Sequence, residues 1–317
     1  FVSLSDQLQS LEQPSGVLPY DELIDLGQNY LEMSVNALVN LESDEAFQMF
    51  TNFLSSDIVI RNVESMDSLV NAFQAAFEVY QARNEQDYNK TDWNYVLEKT
   101  QGIPEKSYTI FADAWENNFW YHEALIYSTY PGWGRVDQKV LNLIDPNYPS
   151  VHEGVDLPPL ETSDLRFDTY FQHLPTNNFR PERGLYFFSN YRYSRYNDYL
   201  GPYSLTVPFL SKTELNLFRA EAILETGGSR AEAVELINKS RVGLGGLEAA
   251  VVEESDESLF DKIYYEYVVE GGPYGIGPIS FYNNRRFGMN QIGTINHLPM
   301  PAGVLLENNM DVYTFGG

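Results

Sequence analysis

Cysteine is absent from the 317-residue chain. That removes a disulfide scaffold, a thiolate zinc site and a cysteine nucleophile, and leaves the redox compartment undetermined. Positive charge is scarce: 20 Lys plus Arg stand against 45 Asp plus Glu, a net charge of −25, so a phosphate backbone or an anionic bilayer surface would be repelled. Nucleic acid and direct membrane binding are thereby excluded as principal activities. Long apolar runs are missing too, so no transmembrane helix is expected. The chain begins Phe1-Val2-Ser3, without a methionine or an apolar leader. It reads as a mature or trimmed product, with any signal peptide or lipid-anchor cysteine lying upstream.

Aromatic residues, by contrast, are abundant. The 23 tyrosines outnumber Lys and Arg together. With 43% hydrophobic and 21% charged residues, the composition is that of a packed protein able to bury a sizeable core.

Hydrophobic periodicity predicts helices from Asp21 to about Leu41, over Asp44–Leu54 and over Met66–Ala82. It predicts a short one at Trp93–Leu97 and a long aromatic one from Ser107 to Tyr127, stopped by Pro131-Gly132-Trp133-Gly134. Residues 1–19 read as a lead-in draped on the surface. From Asp145 to Pro208 the period disappears, six prolines fall between Pro146 and Pro181, and a hairpin is expected around Leu185–Phe188. Helices resume at Thr213–Glu225 and Ser229–Arg241, turning at Gly227-Gly228. Ser229 with Glu232 forms a capping box there. A further helix is expected over Glu257–Val269, and a last short one after Leu298-Pro299-Met300-Pro301. The expected fold is all-α: one domain over 1–317 of tetratricopeptide-like helical hairpins, with a loop-rich insertion over 145–208.

Catalytic signatures fail at positions their mechanisms require. His122-Glu123 lacks a histidine at 126, where Ile126 stands, and His122, His152, His173 and His297 have no ligand spacing. Gly243-Leu244-Gly245 lacks the third glycine of a dinucleotide fingerprint and reads as a helix terminator. Gly227-Gly228-Ser229-Arg230-Ala231 lacks the last glycine of a nucleophile elbow. Glu221 with Glu225, and Glu266 with Glu270, share helix faces, but a glycosidase needs its carboxyls on opposite sides of a cleft. They read as helix-surface or capping charges. No catalytic residue, metal ligand or cofactor is therefore assigned.

Aromatics at helical spacing, such as Phe73, Phe77 and Tyr80, are core candidates. Those in aperiodic segments are expected near the surface. Tyr130, Trp133 and Tyr148 form one group. Tyr186, Tyr191, Tyr193, Tyr196, Tyr199 and Tyr203 form another, interleaved with Asn190, Arg192, Arg195, Asn197 and Asp198. A flat ring beside amide and guanidinium donors suits a sugar, whose C–H face stacks while its hydroxyls are hydrogen-bonded. The alternative is that these tyrosines tie a long loop to the helices, and residue types alone leave both readings open. The candidate ligand-binding set is Tyr130, Trp133, Asn190, Tyr191, Tyr193, Arg195, Tyr196 and Tyr199.

Val207-Pro208-Phe209-Leu210 followed by Glu214 and Phe218-Arg219-Ala220-Glu221-Ala222 is similar to a segment of the SusD/RagB family in which a strand-like run enters a helix. Leu236-Ile237-Asn238 with Arg241 and Gly243 resembles the next helix. Glu266, Glu270-Gly271 and Arg285-Arg286-Phe287-Gly288 resemble "E-x-x-x-E-G … D-x-x-R-x-G", without the Arg that usually follows Glu-Gly. Leu298-Pro299-Met300-Pro301 with Asn308-Asn309, Tyr127–Val136 and Asp164-Leu165-Arg166 resemble further elements. The resemblance implies a non-enzymatic, surface-exposed outer-membrane lipoprotein that binds oligo- or polysaccharide and works with a SusC-like TonB-dependent transporter. It supplies no site residue. Two other readings stand beside it: a tetratricopeptide-like protein-interaction scaffold, with an apolar groove on its helices, and a helical glycosidase, with facing carboxylates.

Overall fold

The computed structural model describes residues 19–39, 63–104, 106–113, 126–127, 129–177, 189–271, 279–290, 294 and 301–312. The helix expected over Asp44–Leu54, the hairpin expected at Leu185–Phe188, and Tyr186, His122 and His297 lie outside these residues.

Helix dominates. In chain order come α1 (Tyr20–Val39), α2 (Val63–Tyr80), α3 (Glu85–Tyr88), α4 (Trp93–Lys99), β1 (Tyr108–Asp113), α5 (Gln138–Ile144), α6 (Phe167–Tyr170), β2 (Phe171–His173) and β3 (Tyr191–Tyr193). After a 3₁₀ turn at Asn197–Tyr199 follow β4 (Ser204–Leu210), α7 (Lys212–Glu225), α8 (Arg230–Arg241), α9 (Asp256–Gly271), α10 (Ile279–Arg286) and α11 (Ala302–Glu307). The strands form two antiparallel ribbons, β1 with β4 and β2 with β3.

The α7–α8 hairpin forms as expected. Gly227 takes φ +69° just past the end of α7, and its amide and that of Gly228 return to the carbonyls of Leu224 and Ile223. This is a Schellman closure, which needs a left-handed residue that glycine supplies without a Cβ penalty. The Ser229 side chain then accepts from the Glu232 amide to start α8.

Residues 107–113 depart from the expected helix. Tyr108-Thr109-Ile110-Phe111 is a run of β-formers, and it pairs with Ser204–Leu210. The four-residue aromatic spacing that suggested a helix starts only at Phe111, and positions 114–125 lie outside the described residues. Pro208, which donates no amide hydrogen, is tolerated because a two-stranded ribbon is all edge and the register shifts beside its partner Thr109.

Two hydrophobic clusters hold these elements. The first gathers Leu69 and Val79 of α2, Val96 of α4, Leu215 and Phe218 of α7, Ile237 of α8 and Leu259, Ile263 and Tyr267 of α9. The second joins Val136, Leu141, Phe167, Phe171 and Tyr191 to Tyr264 and Val268 of α9. Helix α9 thus presents 259/263/267 to one cluster and 264/268 to the other. Where both faces are covered, toward its C-terminal end, Glu266 and Glu270 are buried too.

Candidate functional site

That burial overturns the surface reading of the glutamate pairs. Glu221, Glu266 and Glu270 are all buried. Glu221 receives both Arg286 Nη atoms, at 2.5 and 2.8 Å, and the hydroxyls of Tyr88 and Tyr267, each at 2.9 Å. Glu225, the exposed member of its pair, accepts from Tyr88 at 2.8 Å. Arg166 reaches Asp164 at 2.7 Å, Glu266 at 2.7 Å and Glu270 at 2.9 Å, while Tyr265 donates to Asp164 at 2.9 Å. Burial alone would raise the Asp164 carboxyl; Arg166 overrides it and holds the group below its ordinary range. For Glu266 burial prevails and the shift is upward. A Cβ on Gly245 would lie 2.8 Å from Arg166 Nη2, so this glycine, read as a helix terminator, also makes room for the guanidinium. Of the motif residues that resemble a family, Glu221 and Arg286, and Asp164, Arg166, Glu266 and Glu270, therefore pair with one another in the interior. Such residues set helix positions and leave no oxygen for a ligand.

Among the described residues Glu214 is the one carboxyl driven far up, to about 8, by burial. Its Oε1 accepts from the Tyr80 hydroxyl, and Oε2 has no partner among the described residues. The adjoining cavity, lined by Ser211, Thr213, Leu217, Tyr267 and Gly271 among others, measures about 10 Å³. That is room for about one water and far too little for a sugar. Glu270 lines the same cavity, but Arg166 and Arg195 hold it, so no carboxyl among the described residues faces Glu214 across a cleft as glycoside cleavage needs.

The loop tyrosines divide by burial. Tyr191 is 2% exposed, its hydroxyl accepts from the Leu160 amide at 2.8 Å, and its ring lies edge-on to Phe167 and His173. Asn190 is buried, accepting from the Leu157 amide and donating to Asp156 and the Leu174 carbonyl. Tyr196 and Tyr199 are buried with the first cluster. Tyr193 packs on Phe171, its ring centroid 5.6 Å away. Arg195 is engaged by Glu270 at 3.2 Å and lies 4.1 Å above the Tyr170 ring. Tyr148 is also buried, donating to the Pro158 carbonyl. The expectation of surface rings fails for Tyr148, Tyr191, Tyr196 and Tyr199, and that of a free Asn190 donor fails with it. The aperiodic backbone needs hydrogen-bond partners, and Tyr148, Asn190 and Tyr191 supply them, while Tyr196 and Tyr199 go to the hydrophobic core. Where described, the histidines make local contacts: His152 Nδ1 accepts from the Gly154 amide, and His173 Nε2 meets the Leu157 carbonyl. No group of three or more His, Asp or Glu side chains among the described residues could hold a metal ion.

Tyr130 and Trp133 are different: they are 41% and 55% exposed, and Tyr127 beside them is 53% exposed. The Trp133 ring lies 5.2 Å from Tyr130 and 6.4 Å from Tyr127, centroid to centroid, at interplanar angles of 46° and 40°. Backbone bonds from Tyr130 to Ile126, Trp133 to Tyr130 and Gly134 to Tyr127 fold this stretch into a closed corner. Ile126 anchors it in the first cluster and Val136 in the second. Three large rings are thus held outward on a fixed turn, where the hydrophobic effect alone would have buried them. Tyr127 was missed as a site residue because it falls at helical spacing; its place three residues before Tyr130 was the available signal.

No family model and no curated protein matches the chain. Among solved structures, it is similar to a SusD superfamily protein from Parabacteroides distasonis at 12% identity and a TM-score of 0.43, over 72% of this chain and 53% of that one. It is also similar to a SusD-like protein from Bacteroides fragilis at 17% identity and a TM-score of 0.38, over 69% and 53%. The chain spans about half the length of these two proteins, and both are SusD-like.

Proposed function

We propose that the protein is a non-enzymatic binder of oligo- or polysaccharide, and that Tyr127, Tyr130 and Trp133 form its platform. The observation that carries this reading is the cluster of three outward rings on a corner anchored at both ends. Indole and phenol faces offer a sugar the stacking surface its C–H bonds favour, and an open corner can receive the middle of a chain as readily as its end. The motif resemblance to SusD/RagB proteins points the same way. It adds the rest of the proposal: a lipid-anchored protein on the outer-membrane surface that passes its ligand to a SusC-like TonB-dependent transporter. Among the described residues no helix is long and apolar enough to cross a membrane.

An open platform covers only part of a flexible glycan, so affinities on the order of 10 μM to 1 mM are expected. The test is calorimetry of the wild type and of Trp133→Ala and Tyr130→Ala against a panel of soluble glycans, with reducing-end release followed in parallel. Binding without cleavage, weakened by either substitution at an unchanged melting temperature, supports the reading. Cleavage that survives both substitutions would replace it with the glycosidase.

A further inference from the structure

Beneath the aromatic corner lie two guanidinium groups with no counter-charge among the described residues. Arg192 is 5% exposed, and its partners are all neutral: the Thr129 carbonyl at 2.7 Å, Asn197 Oδ1 at 2.7 Å, Gln172 Oε1 at 2.8 Å and the Tyr193 carbonyl at 3.1 Å. Arg135 Nη1 donates to the carbonyls of Pro131 at 2.6 Å and Gly134 at 3.1 Å, and its Nε is buried without a partner. The two side chains together hold carbonyls 129, 131 and 134, so both sit on the turn that displays Tyr130 and Trp133. Among the described residues neither forms an ion pair, and neither Nη2 makes a hydrogen bond. The buried hydroxyl of Thr129 in the same turn is likewise without a partner.

This is unusual in a chain with 45 acids and 20 bases. Arg166 and Arg286, equally buried, each meet carboxylates at 2.8 Å or less. Buried charges are normally paired, because desolvation without a counter-ion is costly. Burial, and for Arg135 the nearness of Arg192, pushes both guanidinium groups down from their ordinary range, and no acid among the described residues restores them. An anion arriving from outside would supply a counter-charge that none of these residues provides. Arg135 is only partly buried and provides the approach.

We propose that the platform selects an acidic saccharide, one with a ring-borne carboxylate or sulfate, whose ring stacks on Trp133 while its anion meets Arg135 with Arg192 behind it. This rests on the glycan-binding reading and adds the ligand class to it. The net charge of −25 opposes any anion at long range. At roughly 0.15 M salt the screening length is about 8 Å, so direct contact with a guanidinium outlasts the distant repulsion.

The experiment is a titration at that ionic strength with two matched pairs of short oligosaccharides. One pair is oligogalacturonate and its carboxyl-reduced form; the other is a sulfated galactan fragment and its desulfated form. The proteins are the wild type, Arg135→Met, Arg135→Lys and Trp133→Ala, with a thermal melt of each. The expected result is a preference of about tenfold or more for the acidic member of at least one pair, the size of a charge-assisted hydrogen bond. Which pair shows it separates carboxylate from sulfate. Arg135→Met should bring the ratio to about one, and Arg135→Lys should restore part of it. Should Arg135→Met fail to fold, Arg135→Lys alone gives the readout, with a ratio between that of the wild type and one and with binding of the neutral members unchanged. Equal binding of acidic and neutral members that Trp133→Ala abolishes overturns the acidic selectivity and leaves the platform standing. Binding indifferent to Trp133→Ala, or no binding to any of the four, overturns both.

Discussion

Trp133 and Tyr191 are both aromatics in aperiodic sequence, and their fates differ by what each can offer the backbone around it. Tyr191 accepts the Leu160 amide hydrogen on its hydroxyl oxygen and goes inside; Trp133, on a turn whose amides and carbonyls already bond to one another, stays out. Composition cannot show that distinction, and only Tyr130 and Trp133 of the eight candidate ligand residues are more than a third exposed. Arginine was equally hard to read: Arg135, absent from that set, meets no carboxylate among the described residues, while Arg195, included in it, is taken by Glu270. The interior pairs make a testable contrast. Arg166→Met leaves three buried carboxylates facing one another and should cost about 3 to 5 kcal/mol, whereas Arg219→Ala, which breaks a partly exposed pair with Glu232, should cost about 1 kcal/mol or less. Urea denaturation distinguishes the two. Glu214 adds a pH test. Its folded-state value of about 8 lies above the roughly 4.3 of an unfolded glutamate, so between those values the native state holds the extra proton. Stability from this group is therefore full below about pH 4 and is lost as pH rises toward 8, at up to about 1.4 kcal/mol per unit. Glu214→Gln should flatten that part of the stability profile, with its advantage over wild type growing from pH 5 to pH 8. An advantage independent of pH would show that the carboxyl is not held neutral.

Helix ends were the most legible elements. At 225–232 the glycines, the serine and the glutamate each have one local role, and the Schellman closure and cap follow from them whatever packs above. Gly227→Ala forces a Cβ into the left-handed region and should cost about 1 kcal/mol, while Ser229→Ala removes the cap for a similar amount. Both should lower the thermal midpoint and leave glycan binding intact, since the hairpin lies outside the corner. The 107–113 strand was not legible, because its partner lies about a hundred residues away and pairing at that separation leaves no local trace. Burial of both faces of α9 was hidden for the same reason. Its glutamates carry the spacing of a surface pair, and only the approach of Arg166 from the loop-rich region turns them inward.

For the whole molecule, charge is the dominant property. Among the described residues the buried charges nearly cancel, Arg166, Arg192, Arg285 and Arg286 against Asp164, Glu214, Glu221, Glu266 and Glu270, so burial removes little of the net charge of −25, and self-repulsion should lower the stability of the compact state. The thermal midpoint should therefore rise between low salt and roughly molar NaCl, where the screening length is about 3 Å. An unchanged or lower midpoint would mean that the acids are locally compensated. The all-α architecture was legible at this scale from periodicity, and the packing of the tyrosine-rich insertion onto α9 was not. The most direct test of the central claim is a crystal structure of the protein with the tightest-binding glycan of the panel at saturating concentration. The prediction is an intact sugar chain stacked on Trp133, its ring plane about 4 Å from the indole, with Tyr130 or Tyr127 against a neighbouring residue of the chain. A glycan seated away from Tyr127, Tyr130 and Trp133, with the corner empty, would contradict it.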